Sequence, residues 1–476
     1  MSMGLMLFII FAIMLFFMFM GTSVFSSMGF TAILGFIFWF GLKWLSRFGN
    51  IAYDQVCNNE NQLIAPMFIM MSEFLSQGRV AEDIFAVLSR AVGKFKGGLA
   101  IATTLACTIF AALCGSSPAT AASIGRISIT EMTKRGYSPS FAVGTVAAGG
   151  TLGIMIPPSI TLCLYGMLTE TSIAQLLMAG ILPGLMLSAL LVISIIVRSR
   201  ISPTLINQQA DGVDGKAPTE LSFAEAGEII KQAKEQVAEG QADNQNNAAL
   251  KSNNVNKGPT IFTILPALVL ILVVLGSIYM GWATPIEAAG YGVVGSFIMV
   301  LAQRRLTGKM FSQVLLNTAR TGTMMIFLMI CGAVMAFMIS YLGISQTIAT
   351  TLANSGLSGG VILLLMTVLW FILGCLMDPA SMLILTVPFL IEALVTMGFN
   401  KVHIGILSVL AAQIAMITPP VGMNLFVLKA NSDVSMGDII KGAVPYVAIL
   451  FVGYIILALF PDISLVLPRL MGFNVR

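Results

Sequence analysis

Residues 114–119 read Cys-Gly-Ser-Ser-Pro-Ala, and residues 375–380 read Cys-Leu-Met-Asp-Pro-Ala. Each sits inside an apolar run, 97–130 or 358–396, that is too long for a single membrane crossing. Each run is punctured by a helix start: Ser117 or Asp378 as N-cap, with Pro118 or Pro379 at the first helical position. A helix that enters, breaks near mid-depth and returns to the same side is a re-entrant hairpin. Backbone broken at that depth is tolerated only where protein or a water-filled cavity satisfies it.

Working outward, the two punctures prove to be copies. Pro118 is followed after 39 residues by Pro157-Pro158, and Pro379 after 40 residues by Pro419-Pro420. Another 26 residues bring Gly180-x-x-Pro183 in the first case and Gly442-x-x-Pro445 in the second. Three landmarks recur at offsets of 261, 262 and 262, which argues for duplication. One proline pair could be a kink that only improves packing. Two hairpin tips and two broken spans in register point to a binding site.

The rest of the chain fits this frame. Of 476 residues, 57% are hydrophobic and 10% charged, with a mean hydropathy of +0.93. A soluble domain needs about 25% charged residues, so soluble enzymes and nucleic-acid-binding proteins are excluded. Further apolar segments fall at 3–21, 24–42, 62–77, 139–168, 174–197, 260–280, 286–303, 321–343, 402–428 and 443–468. No Lys or Arg precedes Lys43, so the first segment reads as a retained span, not a secretory signal. The expected fold is an all-α polytopic membrane protein of two inverted-topology repeats, each with five spans and one re-entrant hairpin. The first repeat covers 1–200, with its hairpin at about 97–132 and broken span at about 139–168. The second covers 259–476, with its hairpin at about 358–396 and broken span at about 402–430. Between them, 201–258 reads as a polar cytoplasmic linker, partly disordered, with eight acids and five lysines in Ser202–Gly258. Net charge +4 thus divides into −3 in the linker and +7 elsewhere. A cytoplasmic linker puts 20 of 25 basic residues on its side and both termini outside, in line with the positive-inside rule. Lys43 and Arg47 dissent, as they would if the segment after them lay flat at the interface.

Few side chains offer chemistry. Asp378 is the one carboxylate placed firmly at membrane depth. It serves as a helix cap, as a binding group, or as both. Glu73 and Glu392 fall nearer helix ends and read as interfacial, and Glu287 closes a Thr284-Pro-x-Glu capping box. Arg126 either meets a carboxylate substrate or snorkels to the interface. His403, the sole histidine, reads as interfacial, so a Ser–His hydrolase would have one candidate at a poor location and a His-based metal site would lack further ligands. The six cysteines include no CxxC and read as small hydrophobes. No GxxxxGK[ST] loop is present, so transport must draw on an ion gradient or another subunit. Without an array of buried carboxylates, Na+ is favoured over H+. Carbonyls freed at Gly153–Pro158 and Ala415–Val421, with the hydroxyls of Ser116, Ser117, Thr120 and Thr418, suit that hard cation.

Several motifs together resemble the large membrane (M) subunit of tripartite ATP-independent periplasmic (TRAP) transporters, the DctM/SiaM-like family. They are Leu113-Cys-Gly-Ser-Ser117, Lys134-Arg-Gly-Tyr137, Gly150-Thr-Leu-Gly153 with Ile156-Pro-Pro-Ser159, and Gly180-Ile-Leu-Pro-Gly184. Thr284-Pro-x-Glu-Ala-Ala, Met377-Asp-Pro379 and Thr418-Pro-Pro-Val-Gly-x-Asn-Leu-Phe426 complete the set, and the likeness covers roughly 60–200 and 260–470. The resemblance implies an elevator-type permease of the ion-transporter superfamily in the bacterial inner membrane, importing an organic acid such as a C4-dicarboxylate or sialic acid. It implies Na+ as coupling ion, no other cofactor, a small membrane Q subunit and a periplasmic substrate-binding protein as partners. Carried onto this sequence, substrate would meet Ser116, Ser117, Thr120, Asp378, Ser381 and Asn424. Two Na+ sites near the hairpin tips and the Pro-Pro breaks would draw on Cys114, Ser117, Gly153, Ile156, Pro158, Ala415, Thr418 and Val421. The chain departs from the family pattern at Cys114, where serine is common, and at Gln413 and Ala415, where Glu and Gly are usual. A stand-alone Na+- or H+-coupled anion symporter of the same inverted-repeat type is the competing expectation.

Overall fold

The computed structural model describes residues 3–93, 95–206 and 261–473, so the expected linker lies almost wholly outside the described residues. All regular structure among the described residues is helical. In the first half these are α1 (Met3–Phe19), α2 (Val24–Gly35), α3 (Leu45–Cys57), α4 (Ile64–Gln77) and α5 (Val80–Val92). Then follow α6 (Gly98–Cys114), α7 (Ser117–Lys134), α8 (Pro139–Thr151), α9 (Ile160–Thr169) and α10 (Ile173–Ile201). The second half holds α11 (Ile261–Tyr279), α12 (Pro285–Ala302), α13 (Gly308–Tyr341), α14 (Ile344–Ala353) and α15 (Gly359–Leu376). It ends with α16 (Pro379–Thr396), α17 (Lys401–Ala415), α18 (Met423–Ala430), α19 (Met436–Leu459) and α20 (Asp462–Leu470).

Among the described residues, α10, α12, α13, α15 and α19 are long and apolar enough to cross a membrane by themselves. Much of the remaining apolar sequence forms helices of 10–17 residues, because the Gly, Ser and Pro interruptions divide it. The outward faces stay apolar, with Leu272, Ile298, Leu365 and Ile455 all exposed, as a hydrocarbon solvent requires. This is a multi-pass membrane protein.

The halves share one core. Helix α8 packs against α7 and against α19, and α9 packs against α16 and α17. Approach is closest where Gly144 meets Gly442: a Cβ on Gly442 would lie 1.9 Å from the Ser140 carbonyl oxygen. Deeper in, Gln413 Nε2 donates to Thr151 Oγ1 at 3.0 Å. These residues are 262 positions apart, the same offset that relates the two proline pairs. Contact between equivalent positions is what a two-fold relation between the repeats produces at its axis. At the surface, Arg305 forks onto Asp83 at 2.7 and 3.2 Å and onto the Gly78 carbonyl at 2.7 Å, clamping the turn between α4 and α5. Lys43 and Arg47 are exposed, and α3 beside them has no buried residue, while Trp44 packs on Tyr341 at 4.8 Å. The thin cover of α3 agrees with a helix lying at an interface.

Candidate functional site

The first hairpin turns at Gly115, whose φ of +64° is left-handed. A side chain there is excluded twice, since a Cβ would fall 2.4 Å from the Pro158 carbonyl oxygen. Ser116, not Ser117, is the N-cap, and its side chain makes no capping bond; the helix begins at Ser117, one residue earlier than expected. The Ser117 hydroxyl is engaged elsewhere, accepting from Asn424 Nδ2 at 2.8 Å. The second tip follows expectation more closely: Asp378 caps α16, its Oδ2 accepting from the Ser381 N–H at 3.1 Å and its Oδ1 from the Ser381 hydroxyl at 2.5 Å. Thus one tip is neutral and the other carries a carboxylate.

Both broken spans interrupt where the proline pairs stand, and both Pro-Pro peptide bonds are cis. At the first, every residue from Thr151 to Ile160 is buried. Ser159 bridges the gap: its hydroxyl donates to the Ile154 carbonyl at 2.5 Å and accepts from the Leu162 N–H at 3.2 Å. Gly153 lies against the first tip, where a Cβ would sit 2.6 Å from the Ser116 oxygen and 2.8 Å from Thr120 Oγ1. That same Ser116 oxygen accepts from Thr120 Oγ1 at 2.8 Å, with Cys114 Sγ at 3.7 Å. At the second break, the Thr418 hydroxyl donates to the Ile414 carbonyl at 2.8 Å, and the Asn424 N–H reaches back to the Met416 carbonyl at 3.1 Å. Ala415 is buried there, but Pro419, Pro420 and Val421 are exposed.

Tips and breaks converge on a cavity of about 520 Å³. One side is formed by Gly115, Ser116, Pro118 and Ala119 of the first tip, Asp378–Ser381 of the second, and Ile154, Ile160, Thr161, Met416 and Met423 at the breaks. The other side is Ser23–Phe25 before and within α2, Ile69, Ser72 and Glu73 of α4, and Thr321, Met324, Met325 and Leu328 of α13. Of the six residues expected to meet substrate, Ser116, Asp378 and Ser381 line this space, whereas Ser117, Thr120 and Asn424 are buried behind it. The residues expected around Na+ lie outside the lining, flanking the two breaks and the first tip.

Glu73 is a residue the sequence reading placed wrongly. It is half-buried and faces the cavity instead of the interface, with Oε2 accepting from Asn317 Nδ2 at 3.0 Å. Its signal was present, because a carboxylate inside the apolar run 62–77 is costly unless it faces a cavity or partner. The lining therefore holds two carboxylates and no basic side chain. Arg126 and Glu392 are exposed and take no part in it. His403 is only 2% exposed, with Nδ1 at 2.9 Å from Ser464 Oγ, because α20 folds over the start of α17.

The family described as tripartite ATP-independent periplasmic transporter, DctM component, matches residues 11–463. The chain is similar to the C4-dicarboxylate TRAP transporter large permease protein DctM of Pseudomonas aeruginosa, with 33% identity over 413 residues and 87% of both chains covered. It is similar to the sialic acid TRAP transporter large permease protein SiaM of Vibrio cholerae, with 27% identity and 88% of both chains covered. Among solved structures, the Alcanivorax borkumensis YdaH transporter shares the fold, with a TM-score of 0.60, 15% identity and 91% of both chains covered. A match across almost the whole length, joined to duplicated tips and breaks around one cavity, makes this chain a transport subunit and not an enzyme: it belongs to the DctM-component family of large TRAP permeases.

Proposed function

We propose that this permease imports an organic acid, a C4-dicarboxylate, sialic acid or similar carboxylate, across the bacterial inner membrane by coupling its movement to Na+. The observation that carries the reading is the position of the cavity. It lies between the tips and breaks of both halves on one side and α2, α4 and α13 on the other. A solute held there would travel with the tips and breaks as they slide along those three helices, which is an elevator motion. The tripartite family description supports two partners, a small membrane Q subunit and a periplasmic substrate-binding protein that delivers the solute.

Charge supports cation coupling. An organic anion entering a space lined by Glu73 and Asp378 meets like charges and no base. In a low-dielectric interior that repulsion is strong, and a cation bound nearby offsets it. Residues flanking the space suit Na+: the Ser116 carbonyl packed on Gly153, the Ser117 and Thr418 hydroxyls, and the carbonyls at the two breaks are hard, neutral oxygens. Filled ion sites would pre-order the tips, and without them solute affinity falls by the fraction of time the tips are disordered.

Reconstitution into proteoliposomes with the Q subunit and binding protein tests this. An inward Na+ gradient is expected to drive accumulation of labelled succinate or sialic acid, and K+ should not replace it. Ser117→Ala and Thr418→Ala are each expected to weaken the Na+ dependence. Equal uptake in K+ would sink the coupling, and full uptake without the binding protein would favour the stand-alone symporter.

A further inference from the structure

The two side-chain amides of the second broken span meet the first half in the same way. Gln413 donates its Nε2 to the Thr151 hydroxyl, and Asn424 donates its Nδ2 to the Ser117 hydroxyl. Both residues are fully buried, and each leaves its carbonyl oxygen enclosed with no hydrogen-bond partner. A buried acceptor without a protein partner carries a desolvation cost, which a bound water, ion or other ligand relieves. Asn424 stands at the more telling place. It is the second residue of α18, just past the second break and beside Met423 of the cavity wall, and its partner Ser117 opens α7 at the first hairpin tip. The unpaired Oδ1 is carried by the same amide that reaches Ser117, and next to Ser117 in the chain the Ser116 carbonyl meets Thr120 and Gly153.

Resting on Na+ coupling, we propose that Asn424 Oδ1 is a ligand of the cation bound at the first hairpin tip, so that this ion site is built by both halves. The first half contributes the Ser117 hydroxyl and the second contributes the amide oxygen. Asn424 then serves the ion and not the solute, in keeping with its full burial behind the cavity wall. The ion can bind only while the second break is seated against the first tip, so binding also reports that the two halves are joined there.

The test uses the purified permease complex and Na+ itself, with choline as the ionic-strength control. Two readouts are taken: the rise in Tm with Na+, and the Na+ dependence of solute uptake. Asn424→Ala is expected to lower apparent Na+ affinity roughly tenfold or more in both, with solute KM at saturating Na+ unchanged. Asn424→Asp, which places a charged oxygen there, is expected to tighten Na+ in the Tm readout and decides the matter if Asn424→Ala does not fold. Thr145→Val removes another inter-half hydrogen bond of 2.8 Å, to Tyr446, away from the tips, and is expected to leave Na+ affinity unaltered. Unchanged Na+ affinity in both Asn424 variants overturns the proposal, as does a raised solute KM at saturating Na+ with normal Na+ affinity. A wild-type complex indifferent to Na+ in both readouts overturns the coupling itself, a different and recognisable failure.

Discussion

The two broken spans share their landmarks but not their surroundings. At the first, Thr151 to Ile160 are buried throughout; at the second, Pro419 to Val421 are exposed. Much of the difference lies in the Gly-x-x-Pro motif that follows each. Gly180 of α10 lies against the first break, where a Cβ would fall 2.5 Å from the Met155 carbonyl oxygen. Its counterpart Gly442 instead presses on Ser140 and Gly144 of α8. One glycine covers its own half's break, and the other joins the halves. Duplication fixed where the backbone breaks, and packing decided which break is sealed. Irregular backbone near an opening can rearrange without repacking a core, whereas a sealed break cannot.

The sharpest way to break this contrast is thiol labelling. On a Cys57→Ser background, which removes the one exposed native cysteine among the described residues, Val421→Cys is expected to react and Ile156→Cys to stay protected. Equal reactivity would erase the difference between the breaks. Next in size is a single methyl group. Gly153 and Ala415 are equivalent by the 262-residue offset, yet Gly153→Ala forces a Cβ against Ser116 and Thr120. That overpacking is expected to cost about 1–3 kcal/mol, with loss of Na+-dependent uptake. The reverse change, Ala415→Gly, is expected to cost no more than about 1 kcal/mol; Tm measurements on the purified complex separate them. Smallest is the tip charge. Asp378→Ala is expected to cost about 1 kcal/mol through loss of the cap. Asp378→Asn keeps a good cap, so any change in uptake it causes with Tm intact belongs to the carboxylate's charge.

What could be read before the structure follows from which interactions are local. Hairpins, breaks and the Thr284–Glu287 capping box, where Glu287 Oε2 accepts from the Thr284 N–H at 2.8 Å, are written in neighbouring residues and their spacing. Three readings failed or stayed open for the opposite reason. Glu73 turned toward the cavity because Asn317 of α13 and the first tip lie on that side, and neither is near it in sequence. His403 was covered by α20, some sixty residues on. The N-cap moved to Ser116 while the Ser117 hydroxyl found a partner 307 residues away. Periodicity and caps reveal elements; which faces meet is decided by contacts across the halves.

The pairing of Thr151 with Gln413 bears on how such a protein could arise. A residue on a two-fold axis between separate identical chains must face its own copy, and Thr facing Thr or Gln facing Gln is all that position could hold. Fusing the two copies into one chain lifts the restriction, and each side can then be selected separately. The hydroxyl and the amide that meet here at 3.0 Å are complementary and unlike, a combination closed to any dimer of identical chains.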